Sequence, residues 1–234
     1  MTKIEALIRK LAYLSAGMLA VATLPGRVLG HDYDQPEKLY PRGIHFEVLR
    51  NGTLVGNHTV SFSNKNDGIL MVQAALDLTV RFLGLPIYRY SYRSDAAWDR
   101  GRLKALTSYQ DDNGAISRVE IQRDGDGLKI EGPSGSKRAP GNLLPTNHWN
   151  PNVLTHSSVL NTLTGEISEV RIDPTGAQTI QAQGATIEAV RYAYTGEIET
   201  MVWYDAAGRW VKMIFKAQDG SMIEYRCREC GLGG

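Results

Sequence analysis

Two cysteines separated by two residues, Cys227-Arg228-Glu229-Cys230, are the most chemically specific spacing in this chain. Such a pair forms a local disulfide, a redox couple or half of a metal site, depending on its compartment and neighbours. A thioredoxin-type couple sits at a helix start after a strand. This pair instead ends a predicted strand at the C-terminus, so a passive disulfide is the first expectation. The metal alternative recruits His148 and His156 to complete a tetrahedral Cys2His2 zinc shell, although seven residues between histidines is not a ligand spacing. Hydrolytic chemistry would draw on Ser157 or Ser158, His148 or His156, and Asp205 or Asp219. Neither serine lies in a Gly-x-Ser-x-Gly elbow, and turn aspartates such as Asp219 already have a structural task. No complete catalytic or cofactor motif is present, and the reading carries no cofactor.

Binding chemistry has better material. Tyr88, Tyr90 and Tyr92 alternate along one strand, so their rings share one face. His148-Trp149-Asn150 puts an aromatic among polar neighbours in a Gly/Pro-rich loop. Trp149 would supply contact area to a ligand, while His148 and Asn150 would orient its polar head. Aromatics at alternate strand positions also serve as ordinary core, which makes a sheet filled by its own side chains the competing reading.

The elements that must position these residues are strands. From Ile198 to Cys227, three apolar-alternating runs are separated by Ala206-Ala207-Gly208 and Gln218-Asp219-Gly220. Asn51-Gly52 is the strongest short hairpin signal. Further turns fall at Asn66-Asp67-Gly68, Leu83-Gly84-Leu85-Pro86, Asp99-Arg100-Gly101 and Asp112-Asn113-Gly114. Regularity breaks at Gly132 and strands resume at Ile167, with a turn expected at Asp173-Pro174-Thr175-Gly176 and a short helix after Asn150-Pro151. The pattern predicts an all-β protein of roughly a dozen strands with at most one short helix. Strands as long as Leu70 to Phe82 favour a strongly curved antiparallel sheet, an open or closed meander barrel, over a compact sandwich. His45 and His58 fall on strands and read as satisfied sheet residues.

Residues 1–30 read as a secretory signal peptide: Lys3, Arg9 and Lys10 precede an apolar run from Leu11 to Leu24 that is shorter than the roughly 20 residues of a membrane span. Cleavage after Gly30 would leave His31–Gly234 as a single β-rich domain, with no transmembrane segment, in the periplasm or outside the cell. A chain beginning at His31 could chelate copper through its amine and imidazole. Processing removes Lys3, Arg9, Lys10, Arg27 and Glu5, taking the formal charge from +1 to −2. That balance gives no indication of a nucleic-acid partner.

The run Phe82-Leu83-Gly84-Leu85-Pro86-Ile87-Tyr88-Arg89-Tyr90, with Trp98, Gly101-Arg102-Leu103, His148-Trp149-Asn150, Asn161-Thr162-Leu163-Thr164-Gly165, Trp203-Tyr204-Asp205 and Asp219-Gly220-Ser221, resembles an uncharacterised family of exported bacterial proteins, domain of unknown function 6134. That family is similar in turn to periplasmic half-barrel proteins such as carriers of lipoproteins. The resemblance implies a curved sheet around an apolar ligand or helix and transfers no catalytic residue. The functional expectation is a non-catalytic binding module for an apolar or amphipathic small molecule or lipid. The alternatives are a hydrolase or metal-dependent enzyme using His148 or His156, and an envelope assembly partner that pairs through a sheet edge.

Overall fold

The computed structural model describes residues 35–65 and 67–233. The expected signal peptide, its cleavage site, the copper-binding role of His31 and Asn66 of the first long turn lie outside the described residues.

Among the described residues, fourteen strands form one sheet. They are β1 (Ile44–Arg50), β2 (Thr53–Asn64), β3 (Leu70–Phe82), β4 (Leu85–Asp99), β5 (Arg102–Asp112), β6 (Ala115–Asp124), β7 (Gly127–Gly132), β8 (Gly135–Pro140), β9 (Ser158–Leu160), β10 (Ile167–Ala182), β11 (Ala185–Gly196), β12 (Thr200–Asp205), β13 (Trp210–Lys216) and β14 (Met222–Glu229). Chain neighbours are sheet neighbours throughout, with two exceptions. β1 pairs with β14 at the middle of the sheet, and β8 and β9 are its two edges. The ladders are antiparallel, and no ladder joins β8 to β9 among the described residues. The sheet is therefore an open, curled barrel, as the alternation and strand lengths predict. A four-residue helix α1 (Pro36–Leu39) leads into β1.

Several local readings are corrected. The helix expected after Asn150 is a single 3-10 turn, Pro151–Thr155, with the Asn150 side chain accepting a hydrogen bond from the Asn152 N–H at 3.1 Å. The irregular stretch after Gly132 contains β8. Pro174-Thr175-Gly176 is not a turn: β10 runs straight through it as a bulge opposite Tyr192 and Val190, so two expected strands are one. Pro and Gly mark turns and bulges alike, and only the partner strand separates them.

Both edges are blunted. β8 carries Lys137, Arg138 and Pro140, and β9 is three residues long. Strand addition by another chain finds little unpaired, uncharged backbone there.

Five hairpins close on two-residue turns in which both residues have positive φ: Asn51-Gly52, Leu83-Gly84, Arg100-Gly101, Asn113-Gly114 and Gln183-Gly184. This backbone suits the right-handed strand twist and favours Asn-Gly. Leu83, at φ 51°, is the outlier, because a γ-branched aliphatic gains no local hydrogen bond there and the left-handed region costs it about 1–2 kcal/mol.

Alternation sends one face of each strand into the curl. Trp98, Tyr40, Tyr204, Phe46, Leu103 and Leu106 are fully buried there. The segment between β8 and β9 returns into the curl as well. Trp149 packs edge-on against Phe62 of β2 and Trp98 of β4, at 5.4 and 5.5 Å between ring centroids. His148 packs against Tyr194 of β11 and Trp210 of β13, at 5.6 and 5.3 Å. Two consecutive residues thus touch four well-separated strands, which fixes them inside the barrel.

Candidate functional site

The antiparallel meander gives the barrel two ends with different sequences. At one end lie α1, the β2–β3, β4–β5, β6–β7, β10–β11 and β12–β13 turns, and the end of β14. His148-Trp149-Asn150 plugs this end. Trp149, Asn150 and His148 are 2, 5 and 8% exposed, and the Tyr204 hydroxyl donates to the His148 carbonyl at 2.8 Å. The opening left beside the plug, lined in part by Trp149, Asn150, Trp98 and Arg100, holds about 130 Å3. That is room for a few waters, well below the roughly 300 Å3 of small ligand sites. The three residues expected to face a ligand are here part of the packed interior.

The plug carries an electrostatic cost. His58 of β2 is not the satisfied sheet residue expected. Its ring packs against Phe46, Trp210 and Tyr225, and its Nδ1 has no partner, nor does Nδ1 of His148. Burial lowers the His58 pKa to about 3, helped by the nearby His148, and burial lowers that of His148 to about 4. Both rings are neutral at physiological pH. His45, by contrast, pairs its Nε2 with Asn57 Oδ1 at 3.1 Å.

At the opposite end, the β4 row changes character. Trp98, Ala96, Ser94 and Tyr92 are buried, whereas Tyr90 and Tyr88, farther along the same inward face, are only half-buried. Pairing sets Gln110 of β5 beside Tyr92 and Asp112 beside Tyr90. The Tyr90 hydroxyl donates to Gln110 Oε1 at 3.1 Å, and the Tyr88 hydroxyl interacts with Asp112. Deeper in, the Tyr92 hydroxyl donates to Thr162 Oγ1 at 2.9 Å and Ser108 donates to the Thr162 carbonyl at 2.5 Å. Tyr225 of β14 faces Tyr90 and Tyr92 across the interior, and Phe215 of β13 packs against Tyr225 at 6.3 Å. The result is a partly open, aromatic-walled end with a strip of hydrogen-bonding groups. Burial, then the Asp112 hydrogen bond, pushes the Tyr88 phenol up to about 12, and burial with its phenol neighbours raises Tyr90 further. These shifts keep both phenols protonated, able to donate and accept hydrogen bonds.

Sequence reading placed Tyr88 and Tyr90 together, and they are together, but it missed Gln110, Asp112 and Phe215. The Asn113-Gly114 turn fixes the register that puts Asp112 beside Tyr90, so the signal lay in counting back from that turn.

The alternative constellations are not assembled. Cys227 and Cys230 are joined as a disulfide, with Cα atoms 6.1 Å apart. Gln183 of the β10–β11 turn accepts from the Cys230 and Leu232 N–H groups at 2.8 and 3.1 Å, so these hydrogen bonds tie the bridged end of β14 to that turn. His156 is half-buried, its Nδ1 turned toward the Asn152 carbonyl at 3.0 Å. No group of three His, Cys, Asp or Glu side chains is placed to hold a metal among the described residues. The Asp205 carboxylate accepts from the Ala207 and Arg209 N–H groups and pairs with Arg209 Nε at 2.6 Å. Asp219 binds Ser221 and Arg50, which hold its carboxyl well below the usual range. Both aspartates build turns. No described helix is long and apolar enough to cross a membrane.

The chain matches a family model, described as Domain of unknown function (DUF6134), over residues 46–228. It belongs to the DUF6134 family. Among solved structures it is similar to a β-barrel-like protein of Domain of unknown function DUF1849 from Brucella abortus, at 8% identity and TM-score 0.55, covering 79% of this chain and 94% of that one. This likeness concerns the fold alone. It is also similar to MucB at 13% identity and TM-score 0.34, covering 86% of this chain and 57% of MucB. No curated protein matches.

Proposed function

We propose that this DUF6134 protein is a non-catalytic binding module, exported after removal of residues 1–30, whose single β-rich domain holds an apolar or amphipathic ligand at its open end. The observation that carries this reading is the half-buried Tyr88 and Tyr90 pair, set beside Gln110 and Asp112 of β5. An apolar chain lies against the rings, and a head group that donates hydrogen bonds meets Asp112 and Gln110. Ligand sites of β-barrels combine apolar walls and a few polar groups in this way. The disulfide fits an oxidising envelope compartment.

The test is to purify the processed protein from its native envelope, extract it with organic solvent and identify what is released. Stoichiometric amphiphile from the wild type and none from Tyr90→Ala is the expected result. An empty wild type that leaves Tyr fluorescence unchanged on adding amphiphiles refutes the reading. N-terminal sequencing of the same sample should give His31, and retention of Met1 in a membrane fraction would refute export with cleavage.

A further inference from the structure

The large exposed hydrophobic residues are not scattered over this molecule. Leu54, Ile116, Leu163 and Met222 each flank a different turn of the open end, and the β3–β4 hairpin adds four more. Tyr109 is the only other large hydrophobic exposed among the described residues. Among the described residues the plugged end has none.

The hairpin stands apart from its neighbours. β2 and β3 separate beyond the Gly56–Leu78 pair, where a side chain on Gly56 would collide with the Asp77 carbonyl, and the β4–β5 ladder ends at Tyr90–Asp112. Residues 80–88 pair only with one another, and the tongue is about 15 Å long from Leu78 to its tip at strand rise. Phe82, Leu83, Leu85 and Ile87 at its end are 64, 87, 69 and 59% exposed. Leu83 occupies a turn position that strongly favours Asn, so neither conformation nor solvation explains a leucine there. Arg89 is set back from the tip, Arg81 reaches it by donating from Nη1 to the Gly84 carbonyl at 3.2 Å, and residues 78–90 contain no acidic side chain. Tyr88 lies at the same level.

We propose that the tongue is a lipid-contacting wedge that docks the open end onto a bilayer surface containing anionic lipids. A flat protein partner covers one face of a hairpin, whereas solvent reaches all four aliphatic and aromatic tip residues here, and a fluid acyl layer can surround them. Interfacial segments bury their apolar groups about 5–10 Å into the headgroup boundary, the depth the tip residues span. Arg89 then lies at phosphate level, the long Arg81 side chain reaches it by releasing the Gly84 carbonyl, and Tyr88 takes the interfacial position that aromatic residues with a polar tip favour. Because the tongue continues β3 and β4, its root opens directly onto Tyr88 and Tyr90.

The test uses flotation of the processed protein with vesicles of equal parts phosphatidylcholine and phosphatidylglycerol. The wild type should float with them. Leu83→Asn supplies the turn with its preferred residue, so the fold is retained while vesicle affinity falls on the order of tenfold. Arg81→Gln and Arg89→Gln should each weaken binding about fivefold on these vesicles and leave binding to pure phosphatidylcholine unchanged. The four native tryptophans are buried, so brominated lipids should quench only the added fluorescence of a Leu83→Trp variant. Absence of vesicle binding by the wild type, or Leu83→Asn binding like wild type, overturns the proposal. So does a concentration-dependent dimer that Leu83→Asn dissolves while vesicles stay unbound, which would assign the tip to a second copy. Tyr90→Ala should still bind vesicles, so loss of the ligand reading and loss of the docking reading are separately visible.

Discussion

The two ends of the barrel are built from the same kind of strand and do opposite things with their aromatic side chains. At the plugged end, Trp98, Phe62, Tyr194 and Trp210 surround a loop that has turned inward, and the cost is borne by the buried His148, the half-buried His58 and unpartnered indole N–H groups on Trp98 and Trp149. At the open end, Tyr88 and Tyr90 keep their hydroxyls bonded, and the apolar surface is left in water on the tongue. Polar groups are left unsatisfied where the barrel is closed, and apolar groups are left exposed where it is open. Stability should therefore be concentrated at the first end and binding at the second.

The largest test of that division is pH. In the folded protein, His58 and His148 have pKa values below the unfolded value of 6.5. The unfolded chain therefore takes up protons first as pH falls. Their contribution is fully present above pH 6.5 and is lost progressively as pH falls toward about 4 for His148 and about 3 for His58. Urea midpoints should drop steeply across this window, and a His58→Phe/His148→Phe double variant should flatten the slope. An unchanged slope would remove the histidines from the account.

Next in size is Trp149→Ala, which should cost about 3–5 kcal/mol in equilibrium unfolding through the cavity it leaves. It should leave binding at the open end intact, once measured below the shifted melting temperature. Smaller is reduction of the bridge. Cys227→Ser/Cys230→Ser closes no loop and should lose about 2 kcal/mol, with no effect on extracted ligand. Smallest is Tyr90→Phe, which removes the hydrogen bond to Gln110, worth about 1 kcal/mol or less at a half-exposed site. Its effect should be read in ligand retention more than in stability. If Tyr90→Phe proved the more destabilising and Trp149→Ala the one that emptied the protein, the assignment of roles to the two ends would be reversed.

Much of the meander was legible because each strand alternates and Gly-containing turns punctuate it. What escaped did so for definable reasons. β10 looked like two strands because Pro174-Thr175-Gly176 makes a bulge from the residues of a turn. β8 looked like loop because Gly135, Lys137 and Pro140 are edge-strand residues. His148-Trp149-Asn150 read as a surface triad since polar neighbours usually accompany exposure, yet its burial depends on contacts with β2, β4, β11 and β13, up to roughly a hundred residues away in sequence. The Tyr row was visible as a face, but which rings remained half-open depended on where the plug ended. For the tongue, the turn was plain and the exposure was not, because an apolar strand residue is taken for core until its neighbours are known.

The central pairing of β1 with β14 has a consequence for how the chain folds. The strands from β1 to β8 can zip up hairpin by hairpin from local contacts, as can those from β9 to β14. The two halves join only when the last strand finds the first, across almost the entire length of the domain. Until then β1 shows an unpaired edge on which Phe46 and Val48 alternate with more polar neighbours. Closing so long a loop makes this seam the slow, high-entropy step, and the interval before it the one in which the chain is most exposed to pairing with another copy of itself.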